Sequence, residues 1–149
     1  MRRIHTEIEI DAPAQRVWDI LADLPSYGQW NPLIREASGV LKTGGRLELC
    51  ISAPGLAERR VPVELLAVEP GRELRWLGRF VMPRLLDGDH SFLLSPLGPD
   101  RVRVVQQETF SGICVPFVAP WLMPNMTRGF EAMNAALRQR AEQGKTSPA

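Results

Sequence analysis

Residues 90–111, HSFLLSPLGPDRVRVVQQETFS, contain two runs of alternating side chains joined by Leu97-Gly98-Pro99-Asp100. In the first run Phe92 and Leu94 share a face with His90; in the second Val102, Val104 and Phe110 share a face with Gln106 and Glu108. A period of two on either side of a Gly-Pro turn predicts an antiparallel hairpin. Matching the apolar faces with a five-residue loop sets Leu94 opposite Val104, Phe92 opposite Gln106 and His90 opposite Glu108; a register changed by two residues would still leave His90 and Glu108 diagonal neighbours. Directly opposed positions bring Cβ atoms to about 5 Å. The hairpin therefore predicts a histidine and a glutamate side by side on an otherwise apolar surface.

Upstream the same alternation recurs. Ile4, Thr6, Ile8 and Ile10 alternate with His5, Glu7 and Glu9, and a hairpin of Ile34–Leu41 and Arg46–Ser52 turns at Lys42-Thr43-Gly44-Gly45. Val61, Val63, Leu65 and Ala67 define one further strand, and Leu74, Trp76, Gly78 and Phe80 another. After the first strand, Asp11-Ala12-Pro13 reads as a helix start with Asp11 as its cap. Val17, Leu21 and Leu24 form the apolar stripe of that helix, and Pro25 ends it. Trp30 lies in the irregular segment that follows.

Downstream the period changes. Met126, Phe130, Met133, Leu137 and Ala141 recur at spacings of three and four, which predicts an amphipathic helix from about Pro124 to Gln143. Short connections favour an antiparallel sheet, and one face of that sheet needs the cover this helix supplies. The expected class is α+β: one strand, one or two short helices, about six more strands and a long helix. The apolar run Val115–Pro124, interrupted by Pro116, Pro120 and Pro124, leaves three readings open: a lid, a membrane-touching rim or a packed connector.

A chain of 149 residues fits one domain, expected over 1–143 with a polar tail at 144–149. At this length a compact chain hides roughly 70% of its unfolded surface, so neither metal nor disulfide is required for stability. The formal net charge is +1, from 18 basic and 17 acidic residues. Arg2-Arg3 and Arg59-Arg60 have Glu7, Glu9 and Glu58 nearby, so no basic face for nucleic acid is expected. Cys50 and Cys114, with His5 and His90, lack metal-ligand spacing, and neither a nucleophile elbow nor a phosphate or dinucleotide fingerprint occurs. No metal or cofactor is expected. Two free thiols behind a charged N-terminal stretch point to a cytoplasmic protein. The longest apolar stretch is too short to span a bilayer, so membrane contact would be at most peripheral.

Five motifs then resemble a known superfamily: Tyr27-Gly28-Gln29-Trp30-Asn31-Pro32, Glu73–Gly78, Gly88-Asp89-His90-Ser91-Phe92, Glu108–Gly112 and Gly129–Leu137. In this order they look like the SRPBCC or START-like superfamily, in its polyketide cyclase/dehydrase and lipid-transport branch. The resemblance implies a helix-grip fold, in which a bent seven-stranded antiparallel sheet closes on the C-terminal helix around a cavity. Members bind lipids, sterols, polyketides, quinones or plant hormones, and only some catalyse.

The expected function is therefore binding of a small hydrophobic molecule between sheet and helix. The alternative is a cyclase or dehydratase acting on a polyketide-like substrate, with His90 and Glu108 as the acid–base pair. The candidate wall consists of Trp30, Trp76, Phe80, Phe92, Phe110 and Phe130, with His90, Gln106, Glu108 and Asn134 as its polar members. A cavity of several hundred Å³, typical of small-ligand sites, is expected.

Overall fold

The computed structural model describes residues 1–80 and 82–143; the expected tail at 144–149 lies outside the described residues. Strand β1 (Arg2–Ile10) leads into helix α1 (Ala14–Ala22) and a 3-10 helix over Leu24–Gln29. Strands β2 (Ile34–Gly39), β3 (Arg46–Ile51), β4 (Arg59–Glu69), β5 (Glu73–Arg79), β6 (Asp87–Gly98) and β7 (Arg101–Ser111) follow, and α2 (Val115–Glu142) closes the chain. The seven strands form one antiparallel sheet in the order β1-β7-β6-β5-β4-β3-β2. Every neighbour is next in sequence except β1, which crosses over to pair with β7.

The grip of the sheet on α2 follows from which edges the helix touches. On the β1 side, Asn134 Nδ2 donates to Thr6 Oγ1 at 2.9 Å. Towards the opposite edge, Gly129 packs so closely on Leu33, which precedes β2, that an added Cβ would come within 2.8 Å of its Cδ1. One helix reaches both ends of an open seven-stranded sheet only if the sheet curls around it. Register shifts at Ile34/Glu36, Leu65/Ala67 and Pro96/Gly98 supply local bends, since a bulge twists and kinks its strand. The shift at Leu65 also ends the alternation of β4: Val61, Val63 and Leu65 are buried, but Ala67 is only partly so.

Three local expectations need correction. Asp11 does not cap α1. Pro13 occupies the cap position without a side-chain bond, and the Asp11 N–H donates to Glu142 Oε2 at 2.9 Å, tying the end of β1 to the end of α2. Pro25 does not end α1 either; the helix stops at Ala22 and Pro25 sits in the first turn of the 3-10 helix. Most consequentially, α2 begins at Val115, not near Pro124. Pro116 falls in the first turn, where no N–H is needed. Pro120 and Pro124 each remove an internal bond, at a cost on the order of 3 kcal/mol per proline. Burial of Val115, Ala119 and Met126 on the inner side offsets that cost. Nearby side chains add bonds: Asn125 Nδ2 donates to the Trp121 carbonyl at 3.0 Å and Thr127 Oγ1 to that of Met123 at 2.7 Å.

Candidate functional site

The β6–β7 ladder pairs His90 with Glu108, Phe92 with Gln106 and Leu94 with Val104. His90 Nδ1 lies 3.3 Å from Glu108 Oε1, and both side chains are almost wholly buried. The imidazole is held on three sides. Trp76 stacks on it at 4.9 Å with planes 9° apart, Phe130 meets it edge-on at 4.9 Å, and Phe92 lies tilted at 4.8 Å. With a proton on Nδ1, His90 donates to Glu108 and presents Nε2 as an acceptor. That Nε2 is buried and has no hydrogen-bond partner among the described residues.

The glutamate has its place because Gly88 precedes His90 by two residues. A Cβ at Gly88 would overlap Glu108 Oε2 and come within 3.0 Å of the Phe80 ring. Gly88 stands directly opposite Gly78 on β5. Two facing glycines leave a strip of bare backbone on an otherwise apolar wall.

Above that strip is a cavity of about 20 Å³. Trp76, Phe80, His90, Glu108 and Phe130 line it, as do Gly78, Gly88, Val61, Val63 and Met126. The volume is far below the several hundred Å³ expected. It accommodates about one water molecule, because Phe130 and Met126 from α2 descend into the concavity of the sheet.

The remaining expected wall residues lie elsewhere. Phe92 is in the core beyond His90, edge-on to Trp76 at 5.6 Å. Phe110 is buried against Phe80, with ring centroids 6.2 Å apart. Gln106 and Asn134 form a separate polar network: Gln106 Nε2 donates to Asn134 Oδ1 at 2.7 Å, and Thr6 Oγ1 donates to the Gln106 carbonyl at 2.8 Å. With the Asn134–Thr6 bond, this network fastens α2 to β1 and β7. Trp30 packs edge-on against Tyr27 at 5.5 Å and borders a surface groove with Arg16 and Arg140, away from the His90 cavity. An aromatic in an irregular segment carries no period to tell which way it points.

Gly78 and Met126 were not among the sequence candidates. Gly78 had a readable signal, since a glycine in a strand interior marks a bulge or a close approach. Met126 carries only the spacing of a helix core residue. Among the described residues no group of three or more His, Cys, Asp or Glu side chains could hold a metal ion, and no helix is long and apolar enough to cross a membrane.

Residues 1–142 match the family described as polyketide cyclase / dehydrase and lipid transport. No curated protein sequence matches the chain. Among solved structures, the Zhui aromatase/cyclase from Streptomyces sp. R1128 superposes with a TM-score of 0.80 at 17% identity, over 98% of this chain and 96% of that one. A START superfamily protein from Mycobacterium smegmatis gives 0.76 at 20% identity, over 95% and 97%. Norcoclaurine synthase from Thalictrum flavum gives 0.74 at 15%, over 97% and 96%. These likenesses establish the helix-grip architecture, and the match over nearly the whole sequence places the chain in the polyketide cyclase/dehydrase and lipid-transport family.

Proposed function

We propose that the protein binds a small, largely apolar molecule between sheet and α2, with one polar substituent bonded to His90. The observation carrying this reading is the buried Nε2 of His90 on the wall of a cavity, without a hydrogen-bond partner among the described residues. Leaving such a group unbonded costs about 1–3 kcal/mol, so a structural histidine would ordinarily be turned to a partner. The surrounding Trp76, Phe80 and Phe130 favour a flat, aromatic or polyunsaturated body. The likenesses to an aromatase/cyclase and a START protein agree with a ligand of this kind.

A cavity of about 20 Å³ does not hold such a molecule, so binding enlarges it. Met126 is unbranched and Phe80 is only half-buried, and these two side chains rotate to admit the ligand. A second reading, favoured by the placement of both His90 and Glu108 on one wall, is acid–base catalysis of a cyclisation or dehydration.

The test pairs stability with binding. Glu108→Gln and His90→Ala are compared with the parent protein by urea unfolding and by titration with an environment-sensitive hydrophobic dye. Weakened dye affinity with a small loss of stability supports the ligand-anchoring role. Unchanged affinity with losses of about 1–3 kcal/mol or more, the cost of stranding a buried hydrogen-bonding group, would make the pair structural.

A further inference from the structure

The first half of α2 is apolar on both faces. Val115, Ala119 and Met126 point inward, while Pro116, Phe117, Pro120, Trp121 and Pro124, together with Ile113 in the turn just before the helix, are exposed. Those from Pro116 to Pro124 are spaced one and three apart in turn, so they fall on one helical stripe, with Ile113 at its N-terminal end. Phe117 is 85% exposed, Ile113 69% and Trp121 57%. A helix apolar all round is ordinarily buried all round; here half of it meets solvent.

The β5–β6 connection extends the patch. The Ile113 N–H donates to the Arg84 carbonyl at 3.1 Å and the Cys114 N–H to that of Leu85 at 3.0 Å, which brings exposed Met82 and Pro83 beside the stripe. No charged residue occurs between Glu108 and Arg128. Exposed arginines bound the stripe at its ends: Arg84 next to Ile113, and Arg128 one turn beyond Pro124.

We propose that this face docks on an anionic lipid surface, with Phe117 and Trp121 entering the interfacial layer and Arg84 and Arg128 meeting headgroup phosphates. Trp at a membrane interface places an apolar body and a polar N–H where each is solvated. Arginine adds charge complementarity while its stem lies on apolar surface. The patch is too small for the other obvious occupant. From Ile113 to Pro124 it runs only about 16 Å, and stable protein interfaces engage roughly 20–30 residues a side. A lipid surface needs no such area, because binding strength follows the apolar area inserted plus attraction to anionic lipid. The opposite, inward side of the same helical segment carries Met126, which lines the candidate cavity. The docking proposal does not depend on what that cavity holds.

The experiment is co-sedimentation of the full chain with vesicles of phosphatidylcholine mixed with phosphatidylglycerol, and with vesicles of phosphatidylcholine alone. Trp121 fluorescence supplies a second readout, since Trp18 and Trp76 are buried and Trp30 half-buried. The parent protein should partition onto the mixed vesicles with a blue-shifted emission, about tenfold more strongly than onto neutral ones, and release as salt screens the charges. Phe117→Ser combined with Trp121→Ser should lower partitioning about tenfold or more while circular dichroism stays unchanged. No sedimentation with either vesicle would overturn the proposal. So would concentration-dependent dimerisation that the double variant abolishes, which would assign the face to a second copy. Equal binding to both compositions would overturn the role of the arginines.

Discussion

Tyr27 is the chain's one tyrosine, and it is fully buried with its hydroxyl donating to the Leu21 carbonyl at 2.6 Å. Burial, reinforced by the nearby Asp23 carboxylate, pushes its pKa well above the usual phenol range. A raised folded pKa contributes stability that is complete below the unfolded value of about 10 and is lost as pH climbs beyond it. Absorbance of the phenolate should therefore stay absent past pH 10 and then rise together with alkaline unfolding. Early ionisation without unfolding would contradict that burial. Glycine tests the site on the same scale. Gly88→Ala should displace the Glu108 carboxylate, since the new methyl needs its space. The expected loss is about 1–3 kcal/mol in urea unfolding, as for overpacking, together with weaker dye binding.

Among the elements, β6 and β7 were the most legible. Phe92, Leu94, Val102 and Val104 alternate without interruption beside a Gly-Pro turn, so a slip of one residue would turn them all to solvent. Helix α2 was legible only in its second half. There Phe130, Met133 and Leu137 mark the stripe, whereas Pro120 and Pro124 read as breakers because local sequence does not reveal the packing that offsets a missing bond. Phe130→Ala should cost about 3–5 kcal/mol in urea unfolding, since it is buried against His90 under the curl of the sheet. Asn134 makes the contrasting case. Its bonds to Gln106 and Thr6 fasten the helix to the sheet, so Asn134→Ala should cost about 1–3 kcal/mol yet leave dye affinity unchanged. A marked fall in affinity with little loss of stability would place Asn134 in the ligand site instead.

For the whole molecule, the antiparallel sheet and its covering helix followed from period and turn chemistry, while the size of the cavity did not. Volume depends on how far Phe130 and Met126 descend between strands, and on the facing glycines at 78 and 88. These are relations among three elements, α2, β5 and β6, that no local pattern encodes. The same holds for Trp30, whose aromatic character was plain and whose direction was not. The most direct test of ligand binding is gentle native mass spectrometry of freshly purified protein beside Gly78→Val. The new side chain projects between Val61 and Val63 into the cavity. The account predicts that the parent protein carries one small-molecule adduct and that the folded variant runs at its bare mass. A bare parent protein, or an adduct that persists in Gly78→Val, would contradict it.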